Sequence, residues 1–343
     1  MNTKLSQQSF FRKILLLMLV VLILMTTCGC SIKGSTNSTI SSGNNPFSDD
    51  VVNGEDVQFA YGFGLVSPDI NNNFVYEGNA LSAEYFIDNI GNTISTGMLM
   101  FVNGIPQKYS VNGGQDTYMH IQEAPAHKKT TVNISFIPVC GKTGDKLSVR
   151  FLSILNPHIR PTKLEYTYGH TNAMTTFFPR YIEMKQDAPT QATDYPYLEP
   201  QRNMTQEEID QVIYVDRKGN EINRLRGFNL TVKNYQNYDQ AYLTTEDYKF
   251  TFEVQGYGGY AAEYIIIPFI NQMPLTSTDF PSVMTINEGT KIYEGIFTID
   301  ITKLNRNAYR IEEFNTFYLL AIPIDGSSSL DPVISNSYVF SGE

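Results

Sequence analysis

The chain has 343 residues, a formal net charge of −10, three cysteines and no tryptophan. This length exceeds one small sandwich domain and suits two domains, each able to bury its own core. The acidic balance argues against nucleic-acid binding and against electrostatic docking on anionic lipid. The low cysteine content excludes a disulfide framework, so stability has to come from apolar packing.

Residues 1–30 have the layout of an export signal. Lys4, Arg12 and Lys13 form a positive region that precedes an uninterrupted apolar run over residues 14–25. The run is too short to span a bilayer comfortably, because a spanning helix needs about twenty apolar residues. Removal of the segment takes away three positive charges and no acid, which leaves a mature chain with a charge of about −13.

The end of this segment, Thr26-Thr27-Cys28-Gly29-Cys30-Ser31, resembles the lipobox of bacterial lipoproteins. In that family a small residue precedes a cysteine that is lipidated on sulfur and becomes the new N-terminus. Gly29 before Cys30 matches this pattern, although Thr27 stands where the family usually has Leu. The resemblance implies lipidation of Cys30, with Cys28 as the alternative, and a stable anchor on the extracytoplasmic face of the cell membrane. An ordinary secretory signal or an uncleaved membrane anchor remain the alternatives.

Residues 31–50 are predicted to form a flexible tether. They are rich in Ser, Thr, Asn and Gly and have no apolar periodicity that could bury a core. A flexible chain of about twenty residues has a root-mean-square reach near 25 Å. We therefore expect the first folded domain to lie close to the lipid surface.

Residues 51–168 read as a first β-sandwich. Apolar residues alternate with polar ones over residues 57–65, 81–87, 132–136 and 147–151, and turn residues separate these runs about every ten residues. A period of two indicates strands with one buried face, and several short strands of this kind need a second sheet to cover that face. The hairpin Phe101-Val102-Asn103-Gly104-Ile105-Pro106 and the run Gly141-Lys142-Thr143-Gly144-Asp145 resemble bacterial surface Ig-like domains. The cysteine pair and core Trp of antibody domains are absent.

Residues 169–224 are predicted to be an irregular connector rich in Pro and Tyr. Pro179, Pro189, Pro196 and Pro200 interrupt any long element. Within the connector, Thr205 followed by acidic residues predicts the start of one short helix, and residues 213–222 predict a small hairpin.

Residues 225–343 read as a second Ig-like β-sandwich. Its strands alternate in the same way, and its Phe269-Ile270-Asn271-Gln272-Met273-Pro274 echoes the first hairpin. A second pair of similar words follows the hairpins, Met119-His120-Ile121-Gln122-Glu123 and Met284-Thr285-Ile286-Asn287-Glu288. These repeats predict an internal duplication, and the fold class is therefore all-β, with two tandem antiparallel Ig-like sandwiches.

No catalytic, metal-binding or cofactor-binding constellation emerges from the sequence. The four histidines, which are His120, His127, His158 and His170, have no metal-ligand spacing, and Cys140 ends an alternating strand, where a buried structural thiol is ordinary. The paired acids Asp49-Asp50, Glu207-Glu208 and Glu312-Glu313 are interpreted as solvated charges. We expect no cofactor and no enzymatic activity.

Tyrosines are the connector's richest feature, and Tyr181, Tyr195 and Tyr197 are candidate ligand contacts. Exposed aromatic rings can stack on sugars or anchor a protein partner, whereas the structural alternative is that they fill the space between the sandwiches. The favoured interpretation is a lipid-anchored, non-enzymatic surface protein in adhesion, envelope assembly or protein binding. The alternative is a glycan- or solute-binding lipoprotein that uses these tyrosines and an inter-domain groove.

Overall fold

A computed structural model of the chain describes residues 61–67, 73–164, 174–176, 179–190, 195–234, 242–243, 248–259, 261–275, 281–286, 289–304, 314–324 and 330–341. Residues Val57–Glu343 belong to one compact unit. The predicted signal segment and the predicted tether, with Cys28 and Cys30, lie outside the described residues.

The first sandwich consists of two sheets. Its strands are β1 (Tyr61–Ser67), β2 (Phe74–Tyr76), β3 (Leu81–Asn89), β4 (Ile94–Val102), β5 (Ile105–Pro106), β6 (Ser110–Val111), β7 (Met119–Ala124), β8 (Lys128–Phe136), β9 (Lys146–Leu155), β10 (Met174–Thr176) and β11 (Arg180–Met184). Outer sheet 1 has the order β1-β3-β8-β6. Inner sheet 1 has the order β2-β11-β9-β4-β5, with β7 also paired to β4 and β10 to β9.

The segment that joins the sandwiches contains short elements. These are β12 (Tyr197–Leu198), β13 (Pro200–Asn203), helix α1 (Gln206–Val212), β14 (Ile213–Val215), β15 (Glu221–Asn223) and a 3-10 turn (Arg224–Arg226). Helix α1 begins after Thr205, whose side chain forms a capping box with Glu208, as the acidic residues after a Thr predicted. The predicted small hairpin is β14 paired with β15.

The second sandwich also consists of two sheets. Its strands are β16 (Phe228–Asn234), β17 (Tyr242–Leu243), β18 (Lys249–Gly258), β19 (Ala262–Ile270), β20 (Met273–Pro274), β21 (Ser282–Ile286), β22 (Lys291–Asp300), β23 (Phe314–Pro323), β24 (Val333–Ile334) and β25 (Tyr338–Ser341), with a 3-10 turn (Ile301–Lys303) after β22. Inner sheet 2 has the order β12-β21-β19-β23-β25-β17, with β20 paired to β19 and β24 to β23. Outer sheet 2 has the order β13-β22-β18-β16.

Most strands of the two sandwiches share one topology, which confirms the prediction of two tandem β-sandwiches and supports a duplication. The order β2-β11-β9-β4-β5 corresponds to β17-β25-β23-β19-β20, β7 corresponds to β21, and β1-β3-β8 corresponds to β16-β18-β22. Even the parallel pair of β2 with β11 recurs as β17 with β25.

The predicted domain boundaries differ from the ends of these repeats. Strands β10 and β11 lie after residue 168, yet they pair with β9 and β2 of the first sandwich. Strands β12 and β13 lie in the segment predicted to be an irregular connector, but they pair with β21 and β22 of the second sandwich. The Pro-rich composition hid these strands because each is only two to five residues long.

Both predicted hairpins form tight turns with positive φ angles. The values are 50° and 81° for Asn103 and Gly104, and 50° and 69° for Asn271 and Gln272. Such angles at both central residues are those of a type I′ turn, which matches the twist of the flanking strands. In each repeat the turn joins a nine-residue strand to a two-residue strand.

The second pair of repeated words is not structurally equivalent. Met119 lies opposite Leu99 in β4, whereas Met284 lies opposite Tyr264 in β19. Counted back from the hairpin turns, Tyr264 corresponds to Thr96 and not to Leu99, so the two words are displaced by about three residues. An odd displacement turns the side chains to opposite faces of the sheet.

The four sheets stack in the order outer sheet 1, inner sheet 1, inner sheet 2, outer sheet 2. Each sandwich has its own apolar core, and a third core, here called the seam, lies between the inner sheets. The seam consists of Leu99, Phe101, Leu152, Ile154, Ile265, Ile267, Phe269, Val283, Tyr318, Leu320 and Ile322. Strands β4, β9, β19 and β23 are therefore buried on both faces over most of their length.

Candidate functional site

Polar contacts close the seam at its margins. The Ser148 hydroxyl of β9 donates to the carbonyl of Ile324 at 2.9 Å, and the Arg160 guanidinium donates to the carbonyl of Asn271 at 3.3 Å. An apolar core with such margins fixes the relative position of the two sandwiches. The seam is therefore a structural joint, and it occupies the space between the sandwiches where glycan binding requires an inter-domain groove.

The three candidate tyrosines have three different environments. Tyr181 of β11 is half-buried, and the Lys146 ammonium lies 4.2 Å from its ring centroid. Tyr195 packs against both the first core and the seam. Tyr197 of β12 is 61% exposed. Tyr195 thus matches the structural alternative, and only Tyr197 presents a largely open ring among these three.

Two open cavities are each lined by residues of a single sandwich and its neighbouring segment. One, of about 460 Å³, lies at the edge of outer sheet 1 and is lined by residues that include Pro106, Tyr118, Ile137 and Pro189. The other, of about 450 Å³, lies between α1 and the outer face of outer sheet 2. Neither cavity is lined by residues from both sandwiches. The groove expected for glycan binding would lie between the two sandwiches, so neither cavity corresponds to it.

An ion-pair network holds α1 at the second cavity. The Arg202 guanidinium makes two hydrogen bonds of 2.7 Å to the Glu208 carboxylate and one of 3.4 Å to Glu294. The hydrogen bonds from Arg202 and from the Thr205 backbone lower the pKa of Glu208 to about 2. Glu208, which belongs to the acidic pair Glu207-Glu208, thus caps helix α1 and holds it to Arg202.

Cys140 and the described histidines lie in different surroundings. Cys140 is buried, and this burial raises the pKa of its thiol to about 11, which keeps it protonated at neutral pH. His127 and His158 are exposed, His120 lines a gap in the first core, and His170 lies outside the described residues. Within the described ranges, no group of three or more His, Cys, Asp or Glu residues is placed to hold a metal ion.

Among the described residues, strand β7 forms an edge of inner sheet 1. The Tyr109 hydroxyl lies between β7 and β4, where it donates to the carbonyl of Met98 at 2.5 Å and accepts from the His120 N–H at 2.8 Å. The N–H of His120 therefore points toward β4. Because successive residues of a strand direct their N–H and C=O groups to opposite sides, those of Ile121 and Glu123 point away from β4.

The equivalent edge of the second sandwich is covered. Counted back from the hairpin turns, Gly97 of β4 corresponds to Ile265 of β19. Ile121 of β7 lies opposite Gly97, and Val283 of β21 lies opposite Ile265. The N–H of Val283 donates to the carbonyl of Pro196 at 2.8 Å, and β12 runs parallel to β21 at this point. Among the described residues, no strand pairs with β7 on the side away from β4. Within this described part of the chain, no strand supplies the Ile121 N–H with the partner that the Val283 N–H has in Pro196.

The sequence did not single out Tyr109, Ile121 or the edge of β7. Tyr109 is one of 22 tyrosines, and nothing in its neighbours marks it as the residue that bridges two strands. The repeated words did include Ile121, but their displacement by about three residues hid its equivalence to Val283.

Within the described ranges, no helix is long and apolar enough to cross a membrane. The candidate lipidation residues Cys30 and Cys28 precede the described part of the chain.

Comparisons with known proteins return no matching family model and no matching curated protein. Solved structures do match in fold. The CsuC–CsuE chaperone–tip adhesion subunit complex of Acinetobacter baumannii Csu pili is 12% identical, with 78% of this chain and 93% of that chain covered and a TM-score of 0.18. The Salmonella enterica SafA pilin in complex with the SafB chaperone is 9% identical, with 84% and 100% covered and a TM-score of 0.23.

A third match is the E. coli chaperone DraB, which is 6% identical, with 82% of this chain and 98% of that chain covered and a TM-score of 0.23. Likenesses at these identities concern the fold alone. They do not extend to a site or a partner.

Proposed function

We propose that the chain is a lipid-anchored protein on the extracytoplasmic face of a cell membrane, which acts without enzymatic chemistry by binding a protein partner in adhesion or envelope assembly. The anchoring part of the proposal rests on the lipobox-like residues around Cys30. The binding part rests on one observation, the outward N–H and C=O groups at the edge of β7. Unpaired strand edges are templates for pairing with another chain, and natural proteins usually cover them.

The seam supports the same function. It joins the two sandwiches into one body, so that the β7 edge keeps a fixed orientation relative to the rest of the fold. A preorganised surface loses less conformational entropy when a partner binds.

Glycan or solute binding is the second candidate, and the exposure of Tyr197 favours it. Tyr195 supports it less, because its ring is taken up by packing. A glycan array probed with the full chain and with Tyr197→Ala tests this alternative. Saturable sugar binding that Tyr197→Ala abolishes would establish it in place of protein binding.

The anchor is tested with Cys30→Ala and Cys28→Ala in a bacterial host fed a labelled fatty acid. We expect Cys30→Ala to lose both the label and membrane partition, and Cys28→Ala to keep both. Label that persists in Cys30→Ala and disappears in Cys28→Ala would move the site to Cys28, and an unaltered chain that takes up no label would refute lipidation.

The binding surface is tested by placing a photo-crosslinking amino acid at position 121 of the full chain in intact cells. The matched control is position 296, because Ile296 is also exposed but lies on β22 of outer sheet 2, in the other sandwich. We expect a discrete protein adduct from position 121 and none from position 296. Identical adducts from both positions would contradict a specific site.

A further inference from the structure

Strand β12 shows how the edge of an inner sheet is covered in this fold. Leu198 lies beside Met284 of β21 and inserts its side chain into the second core. Gly295 makes room for it, since a β-carbon there would lie 2.8 Å from Leu198 Cδ2. Tyr197, the preceding residue, points the other way and is exposed. One short parallel strand with one inserted side chain therefore completes that edge.

The corresponding place in the first sandwich is a gap. Gln122 lies opposite Thr96, as Met284 lies opposite Tyr264. Gln122, Thr96, Val132 and His120 line the gap together with residues of the first core. Val132 lies on β8, the strand that corresponds to β22 with its Gly295, and no side chain from a covering strand enters the gap among the described residues.

The gap is polar where its counterpart is apolar. Thr96 is 1% exposed, and its hydroxyl has no hydrogen-bond partner in the described structure; the same holds for Gln122 Nε2 and for the hydroxyl of the neighbouring Thr130. As it stands, the gap is too narrow for a water molecule, so an entering side chain has to displace the Gln122 side chain. Buried polar groups without partners are costly, so a group that supplied their hydrogen bonds would be held strongly.

We infer that the β7 edge binds an extended segment of a partner protein, which lies parallel to β7, bonds to the outward groups of Ile121 and Glu123, and inserts one hydrogen-bonding side chain beside Gln122. The inference rests on the proposed protein-binding function and specifies its partner. Asn, Gln, Ser or Thr fits the inserted position, because such side chains donate to and accept from the hydroxyls and the amide. The main-chain bonds give affinity, and the gap gives selectivity.

The chain's own covering strand supplies the probe. A synthetic peptide of residues 194–201 carries the Leu198 that fills the second edge, and a second peptide carries Leu198→Asn. Binding of each labelled peptide to the full chain is measured by fluorescence polarisation. We expect the Leu198→Asn peptide to bind at least about tenfold more tightly, since hydrogen bonds to buried groups replace an apolar contact. Equal affinities, or no binding of either peptide, would overturn the inference.

A matched pair of variants tests the position. Ile121→Pro removes an N–H that points away from β4, so the β4 ladder stays intact, whereas Ile121→Val keeps the donor and the β-branched side chain. We expect Ile121→Pro to lower affinity for the Leu198→Asn peptide at least about tenfold and Ile121→Val to leave it within about twofold. Circular dichroism checks that both variants fold. Equal binding by both folded variants would place the peptide elsewhere and refute the inference.

A specificity swap keeps the inference falsifiable if Ile121→Pro does not fold. The double variant Gln122→Met and Val132→Gly gives the gap two features of the second edge. We expect this double variant to bind the unchanged Leu198 peptide more tightly than the Leu198→Asn peptide. An unchanged preference would contradict the proposed insertion.

Hydrogen exchange of the protein alone separates the proposed partner from other occupants. We expect the Ile121 amide to exchange rapidly and the Val283 amide slowly, because only the second is covered. Slow exchange at Ile121, or a dimer in light scattering that the Ile121→Pro variant loses, would identify the chain itself as the occupant and overturn the inference. Failure of the peptide tests with crosslinking at position 121 retained would refute this inference and leave the proposed function standing.

Discussion

Gly104 of the first hairpin lies against Ile265 of the second sandwich so closely that a β-carbon on the glycine would stand 2.6 Å from Ile265 Cγ1. The same glycine has a φ of 81°. The turn thus needs glycine for two reasons, one within the hairpin and one across the seam.

These two reasons can be measured separately. Gly104→Ala should lower the free energy of unfolding by about 1–3 kcal/mol more than Gly113→Ala, because overpacking a close contact adds to the strain of a positive φ. Gly113 is the matched control, with a φ of 76° and no atom within 4 Å of an added β-carbon. Urea denaturation gives both values; equal losses would show that the seam yields freely at this point.

The seam should make the two sandwiches unfold together. Phe269 is fully buried there, and its ring stacks on Tyr318 with centroids 5.2 Å apart. Phe269→Ala should lower the free energy of unfolding by about 3–5 kcal/mol, whereas Ile296→Ala, at a 56% exposed position, should change it little. When urea denaturation is monitored with two spectroscopic probes, one in each sandwich, the wild type should show coincident unfolding transitions. Separate transitions would contradict the structural role of the seam.

Tyr109 should stabilise β7 through its hydroxyl. Tyr109→Phe removes a buried hydroxyl that is hydrogen-bonded to both Met98 and His120. We therefore expect the free energy of unfolding to fall by about 1–3 kcal/mol and the His120 amide to exchange faster. Tyr197→Phe, at an exposed ring, is the control and should change neither. An unaltered exchange rate at His120 would show that β7 is held by its other contacts.

His120 should make the stability of the first sandwich depend on pH. Partial burial lowers the pKa of its imidazole from 6.5, so the unfolded chain takes up a proton more readily than the folded one. The free energy of unfolding should therefore fall as the pH drops below about 6.5, and the fall should be smaller in His120→Gln. His158→Gln, at an exposed position, should retain the full dependence. Chemical denaturation between pH 5 and 8 provides the comparison; identical slopes for all three proteins would exclude this role.

The alternating runs and the hairpins were predictable because they depend on local chemistry. Asn103 and Gly104 favour positive φ, and a period of two requires one buried face, so the sequence specifies strands and turns without knowledge of their partners. The echo at Asn271 made the duplication visible before any strand pairing was known. The fold class followed from these features alone.

The seam and the β7 edge could not be predicted, because they depend on which faces meet in three dimensions. Leu99 and Phe101 alternate with residues of the first core, and nothing in the run from Met98 to Val102 states that its second face is covered as well. Similarly, the exposure of the Ile121 amide becomes evident only when its counterpart, Val283, is seen paired with β12.

The stacking of four sheets also has a mechanical consequence. A load applied to one sandwich is transmitted to the other by shear across the apolar seam. Under tension the two sandwiches would therefore turn together as one body instead of bending where they meet.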